Sequence, residues 1–216
     1  MTIRSTLILL VLVALFLTGD ATAEESAEPV IDIEQVREGI KSQLPPPPDG
    51  FVWHFYKNAL LPKPPQWHEL EKATSFSGAP FTVYAASPEE FSETRQFEMG
   101  LTIQIISSSQ KIRGIEAKKM ALLYLSPFFE AHKKDEILIL VQQNMGDFEG
   151  TIFRYRDAPP GLKPIIVHKF ILANNVTDSV HVFTFESPET SWQENWAKYG
   201  TPILSKLRIL PNLPPY

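Results

Sequence analysis

In the second half of the chain, the apolar and polar positions form four segments, each about as long as a β-strand. Short pieces rich in Asn, Asp, Gly and Pro separate them. Connections this short join antiparallel neighbours, because a parallel crossover needs about a dozen residues or more. The pattern therefore predicts four consecutive antiparallel strands, at 137–142, 150–156, 164–172 and 180–186.

Three shorter strands are predicted before this block. Aromatic residues at every second position of 51–56 predict a strand with one aromatic face. Two apolar segments, 81–85 and 101–106, predict two more strands. Between them, a capping serine followed by proline and glutamate predicts a short helix or turn over 87–91.

The longest helical pattern covers 115–131, where apolar residues recur at intervals of three and four. Pro127 lies inside this pattern and is expected to kink the helix or end it near Ser126. A second helix should start at Ser187-Pro188, with serine as its cap and proline in its first turn.

This last helix carries Trp192, Trp196 and Tyr199 on one side. The spacing of the two tryptophans predicts that they pack the helix onto the sheet, and an exposed ligand-stacking pair is the alternative. Gly200-Thr201-Pro202 is expected to interrupt the helix before a short final segment.

The N-terminus has the three parts of a secretory signal: the positive residue Arg4, an apolar run over 7–17 and the small-x-small site at 21–23. The run is shorter than the roughly 20 apolar residues that span a bilayer. Cleavage is predicted between Ala23 and Glu24. The mature protein is then expected to be periplasmic or secreted, without a permanent membrane anchor.

The rest of the chain divides into two parts. Residues 24–48 contain an acidic lead-in, a predicted helix over 32–44 with one apolar stripe, and four prolines at 45–48 that enforce an extended spacer. Residues 49–216 are predicted to form a single domain, since their number suits one hydrophobic core.

Composition and the absence of known motifs exclude several classes of function. The 216-residue chain has a net charge of −5, so no overall attraction to nucleic acid is expected. It has no cysteine, which excludes disulfides, thiolate metal sites, a cysteine nucleophile and N-terminal lipidation. The Walker, nucleophile-elbow, dinucleotide-binding and zinc-protease motifs are all absent. No catalytic residues, no cofactor and no metal are therefore predicted.

Several motifs resemble those of PsbP-like proteins, a family that includes extrinsic proteins of photosystem II and bacterial envelope relatives such as DcrB. These are the GFVW sequence at 50–53, KPPQW at 63–67, MGLTI at 99–103, FTFESP at 183–188 with Trp192 and Trp196, and ILSKL at 203–207. The resemblance covers roughly 50–210. It implies an α+β fold, an α/β/α sandwich built on a curved antiparallel sheet with helices packed on its faces. It carries over no catalytic residue.

The histidines form two candidate pairs. His54 and His68 each follow a tryptophan, and hydrogen-bonded histidines are favoured there over a metal pair. His168 and His181 lie on adjacent predicted strands, and the register decides whether they face each other. Alternation with Phe183 predicts that His181 faces the core. Two imidazoles without carboxylates make an incomplete metal site.

The sequence leaves three functions open. The leading hypothesis is an exported non-enzymatic envelope protein that binds a partner protein or cell-wall component through Trp53, His54, Trp67 and His68. The second is a carrier that holds a small apolar ligand in a cavity between sheet and helices. The cavity would be lined by Phe51, Phe55, Phe170 and Phe183. The third is a hydrolase that uses His168 or His181 as base.

Overall fold

The computed structural model describes residues 32–76, 79–91, 97–158, 161, 163–210 and 213. The predicted signal peptide and its cleavage site between Ala23 and Glu24 lie outside the described residues, as does most of the acidic lead-in. Within the described part, no helix is long and apolar enough to cross a bilayer.

The strands and helices of the described part follow the chain in this order. The strands are β1 (Val52–Tyr56), β2 (Ala59–Lys63), β3 (His68–Phe76), β4 (Ala79–Ser87), β5 (Gly100–Ser107), β6 (Ile137–Met145), β7 (Phe148–Asp157), β8 (Ile165–Asn174), β9 (Ser179–Pro188) and β10 (Arg208–Ile209). The helices are α1 (Ile33–Lys41), α2 (Ser109–Arg113), α3 (Ala117–Ala131), α4 (Trp192–Asn195) and α5 (Thr201–Ser205). A 3-10 turn, Glu189–Ser191, precedes α4, and a π-helical turn, Trp196–Gly200, joins α4 to α5.

Among the described residues, seven strands form one sheet in the order β3-β4-β5-β9-β8-β7-β6, and every neighbouring pair is antiparallel. The last four strands of this order are the predicted antiparallel block, which is confirmed. A smaller antiparallel sheet has the order β1-β2-β10.

Helices cover both faces of the large sheet. On one face, α3 packs over β8 and β9, and its buried Met120, Ala121 and Leu125 join the sheet side chains of one core. On the other face, the terminal helical segment and the small sheet close a second core around Phe183 and Phe185. The predicted α+β class, with an antiparallel sheet between helices, is confirmed.

Strands β2 and β3 were not predicted from the sequence. For β2, the prolines at 62, 64 and 65 argue against a strand. In the structure Pro62 lies within β2, opposite Trp53 of β1. The short β10 pairs only with Ala59 and Leu60, so it does not reach the level of Pro62. A proline that faces no second partner strand costs no ladder hydrogen bond there. Strand β3 is an edge strand, and its polar sequence gives little apolar alternation.

Pro127 does not end the long helix near Ser126, so that one of the two expected effects was wrong. Helix α3 continues through Pro127 to Ala131 without ending near Ser126. Pro127 lies on the exposed face of the helix, where the carbonyl that loses its intrahelical bond can bind water instead. Burial of the opposite face by Tyr124 and Leu125 holds the helix on the sheet.

The spacer before the domain is tied to the small sheet. Helix α1 lies over Phe55, with the Arg37 guanidinium 5.6 Å and the Lys41 ammonium 5.7 Å from the ring centre. The Trp53 indole N–H donates a hydrogen bond of 2.9 Å to the carbonyl of Pro45, the first spacer proline. The apolar stripe of α1 is at best half-buried.

Candidate functional site

The four residues predicted to bind a partner do not form one surface. Trp67 is only 3% exposed and packs against Tyr199, with ring centres 5.3 Å apart. Trp53 and His54 are half-buried, and successive strand residues point to opposite faces of β1. Of the four, only His68 is exposed. Their role in partner binding stays a prediction.

His54 belongs to a cluster of titratable side chains beneath the small sheet. Its ring stacks on Tyr84 at 5.0 Å. Burial lowers the pKa of His54, nearby Lys63 lowers it further, and Glu69 opposes the change. The imidazole is therefore neutral at ordinary pH.

Lys63 is the centre of this cluster. The sequence did not indicate its burial or its role in the cluster. It is only 3% exposed, and its ammonium lies 2.8 Å from Glu69 Oε1. It also donates to the carbonyls of Pro64, at 3.1 Å, and Trp67, at 3.3 Å. All three ammonium protons are thus satisfied, which ties β2 and the following proline turn to β3. The arrangement stabilises the connection and offers no free nucleophile.

The second histidine pair shares a face of the sheet but is not brought together. His168 is the partner of Phe185, and His181 is the partner of Leu172. His181 is fully buried, as predicted, and its Nε2 lies 2.8 Å from Asn58 Oδ1. Burial lowers its pKa to about 4. No group of three or more His, Asp or Glu side chains suited to a metal ion occurs in the described part of the chain.

His168 instead belongs to a cluster of Arg154, Trp192 and Trp196 on the face under the terminal helix. The Arg154 Nε donates a hydrogen bond of 3.1 Å to His168 Nδ1. The guanidinium carbon lies 4.3 Å from the Trp196 ring centre and 5.0 Å from that of Trp192. Burial, with a contribution from the Arg154 charge, lowers the pKa of His168 to about 3. His168 therefore accepts the arginine hydrogen bond as a neutral ring.

The two tryptophans attach the terminal helix to the sheet, as their spacing predicted. Their rings stack at 5.2 Å, and Phe185 of β9 lies 5.9 Å from each. Gly200, which was expected to interrupt the helix, lies instead at the end of the helical π turn. The Trp196 ring lies over Gly200, at a place where a Cβ atom would overlap it.

Gly200→Ala should therefore destabilise the protein by roughly 1–3 kcal/mol, because the added methyl group overpacks the Trp196–Phe185 contact. Urea unfolding of the variant and the wild type would measure this change. Gly39→Ala is the control, since a Cβ atom there meets nothing within 4 Å. Equal stability of Gly200→Ala and wild type would contradict the packing described here.

A buried lysine lies on the other face, beneath α3. Lys169 donates a hydrogen bond of 3.2 Å to Thr184 Oγ1, and its ammonium lies 4.4 Å from the Phe128 ring centre. Burial lowers its pKa to about 8, against the attraction of Glu186. Because Lys169 is enclosed between helix and sheet, its amine supports packing and is not presented to a substrate.

Strand β6 forms the edge of the large sheet opposite β3, and it pairs with β7 alone among the described strands. None of its nine residues is charged. Leu138 and Leu140 are each 50% exposed, and Val141 is 43% exposed. Leu140 and Val141 are successive strand residues, so the exposed apolar side chains occupy both faces of β6.

Together these features define an α/β/α sandwich with a closed core and an uncovered apolar edge strand. No protein-family model and no curated protein matches the chain. Among solved structures, a Bacteroides thetaiotaomicron protein is 12% identical over 70% of this chain, with a TM-score of 0.36. The match spans 45% of that protein's length.

Two other solved structures match this chain over nearly the whole of their own length. Cyanobacterial PsbP from Synechocystis sp. PCC 6803 is 12% identical, with 74% of this chain and 92% of that chain covered and a TM-score of 0.46. The Ran-binding protein Mog1p of Saccharomyces cerevisiae is 12% identical, with 74% and 96% covered and a TM-score of 0.42. Because the identities and TM-scores of these matches are low, we assign the fold from the strand order and layers of this chain alone.

Proposed function

We propose that this protein is a non-enzymatic binding protein whose β6 edge accepts an extended segment of a partner protein. The observation that carries the proposal is the combination, in one strand, of an edge that no described strand pairs with, no charge and exposed apolar side chains on both faces. Edge strands usually carry charges, prolines or bulges that prevent pairing. In β6 an irregularity is confined to its start, between Ile137 and Ile139.

The chemistry of β6 suits a protein strand better than a small molecule. A partner strand would satisfy the free backbone groups of the edge, while its alternate side chains would cover Leu140 on one face and Val141 on the other. On the first face the half-buried Phe129 of α3 packs on Phe153, the partner of Leu140 in β7.

The proposal includes a site of action outside the cytoplasm. It is supported by the N-terminal pattern of Arg4, an apolar run and a small-x-small site before Glu24. We also propose that the chain is related to the envelope members of the PsbP-like group, such as DcrB, on the motifs that it shares with them.

Binding is favoured over the two alternative functions by what surrounds the residues concerned. In the described part of the chain, neither His168 nor His181 is hydrogen-bonded to a hydroxyl or a carboxylate, as a hydrolytic base would be. Of the residues that a carrier would place around a cavity, Phe183 is buried in the packed core, and the partly buried Phe170 packs against it with ring centres 6.5 Å apart.

The test compares three forms of the protein in capture experiments on an envelope extract: wild type, the double variant Leu140→Lys/Val141→Lys, and Ile112→Lys. Ile112 is 50% exposed on α2 and provides the matched control. The β6 variant should bind its partner at least about tenfold more weakly, because two buried charges would replace apolar contacts. The control should bind as wild type does.

Hydrogen exchange shows whether the edge itself is used. In the complex, amides of 139–145 should become protected, and those of β3 at the opposite edge should not. Equal capture by the β6 variant and wild type would contradict the proposal. It would also fail if sedimentation shows a wild-type dimer that the β6 variant lacks, because the edge would then pair with a second copy.

A further inference from the structure

We propose that the cleft between β6–β8 and the start of the terminal helix is a binding site for a carboxylate attached to an apolar group, with Arg154 as its anion-binding residue. The cleft adjoins the β6 edge through Leu138 and Ile139, but Leu140 and Val141 do not line it, and the inference does not depend on strand addition at β6. The cleft has a volume of about 380 Å³ and is lined by Leu138, Ile139, Arg154, Ile166, Glu189, Trp192 and Gln193.

Arg154 is held in a fixed position, but no counter-ion for it is found in the described part of the chain. Its Nε donates to His168 Nδ1, and its guanidinium carbon lies over the indole rings of Trp192 and Trp196. Among the described residues no carboxylate lies within 4.0 Å of it, and neither Nη atom donates a hydrogen bond. Half-burial without a partner lowers the pKa of this guanidinium. An anion in the cleft would remove that penalty.

The contrast with Arg156, two residues along the same strand, supports this interpretation. Arg156 donates from Nε to Glu189 Oε1 at 2.8 Å. Glu189 is the acidic residue that lines the cleft, and Arg156 compensates its charge. The cleft therefore retains the uncompensated positive charge of Arg154.

The shape and lining of the cleft indicate the class of ligand. Two Nη atoms on one guanidinium can bind both oxygens of a carboxylate, which a single ammonium cannot do in the same geometry. Leu138, Ile139 and Ile166, with the Trp192 ring, offer apolar surface beside the charge. A free acid with a short apolar chain or ring has this chemistry, and so does the C-terminus of an apolar peptide.

The first experiment uses unmodified protein and two probes of nearly equal shape, 4-phenylbutyrate and 4-phenylbutanol. Binding is followed through the indole N–H signals of Trp192 and Trp196 in ¹H–¹⁵N spectra. The acid should give saturable shifts at Trp192 and bind at least about tenfold more tightly than the alcohol, since a charge-assisted hydrogen bond is lost. Equal binding of the two probes would overturn the inference, as would no saturation of the acid below about 10 mM.

The second experiment tests whether Arg154 is the residue that binds the carboxylate. Arg154→Gln should remove the preference for the acid over the alcohol, whereas Arg208→Gln, at an exposed arginine of β10, should keep it. If Arg154→Gln loosens the tryptophan stacking, the comparison of probes on the wild type still decides the question. A retained preference in a folded Arg154→Gln variant would contradict the role of this residue.

Two further probes distinguish the sources of the carboxylate: the peptide Ala-Leu-Phe with a free C-terminus and the same peptide as its amide. Tighter binding of the free peptide than of 4-phenylbutyrate would indicate a peptide C-terminus, and the reverse would indicate a free acid. Each result supports the site. The Leu140→Lys/Val141→Lys variant should bind 4-phenylbutyrate as wild type does, so failure at β6 and failure at this cleft can be told apart.

Discussion

Acidification from pH 7 to pH 4 should lower the free energy of unfolding by about 3 kcal/mol for each of the two buried histidines, His168 and His181. Both are depressed in the folded state, His168 to a pKa of about 3 and His181 to a pKa of about 4. In the unfolded chain they take up a proton near pH 6.5. The unfolded state therefore binds more protons below that pH, and stability falls as the pH drops from 6.5 towards 4.

Urea unfolding at half-unit pH steps would measure this dependence. His181→Gln should remove the His181 part of this loss between pH 6.5 and 4 and leave the His168 part, because the glutamine amide does not titrate. His68→Gln, at an exposed histidine, is the control for the substitution itself. In proton NMR, the ring signals of His181 should keep their positions from pH 7 down to about pH 5. A ring that titrates near pH 6.5 in the folded protein would contradict the burial described above.

Trp192→Ala should destabilise the protein by roughly 3–5 kcal/mol. Trp192 is 5% exposed, and its replacement removes three contacts at once: those with the stacked Trp196 ring, with Phe185 on β9 and with the Arg154 guanidinium. Because the terminal helix is attached to the sheet through this residue, the change should also expose the helix to proteolysis. Thermal and urea unfolding, with limited proteolysis, would measure both effects.

Trp53→Ala is the matched control, since it removes a side chain of the same size from a half-buried position. It should cost no more than about 2 kcal/mol. Similar losses at Trp192 and Trp53 would mean that the terminal helix contributes no more to stability than the spacer contact. A loss under about 1 kcal/mol at Trp192 would contradict the described packing.

Several features of the binding surfaces could not be predicted from the sequence, because they depend on contacts between different strands. Alternation along 180–186 shows that His181 faces a core, because strand periodicity is local. It does not show that Arg154 lies beside His168, since that contact depends on the register of β7 with β8. The neighbouring prolines concealed the burial of Lys63, which only the β2–β3 connection explains.

The burial of Trp67 and the exposure of β6 also depend on neighbours that only the tertiary structure provides. Trp67 is one of the four residues that the sequence predicts to bind a partner, yet Tyr199 of the terminal helix covers it. Strand β6 was predicted correctly as a strand, but its apolar sequence resembles that of a buried one. The order of the strands places it at the end of the sheet, where its side chains stay exposed.

The sequence by itself determined the antiparallel block of four strands, the long helix over 115–131, and the tryptophan-bearing terminal helix. These features follow from apolar periodicity, short connections and capping residues, all of which act within a few turns of chain. The tertiary structure alone decided which strands form the edges of the large sheet, which tryptophans are buried, and which arginine is half-buried without a carboxylate partner among the described residues. These properties depend on neighbours far apart in the chain, which only strand order, register and layer packing bring together.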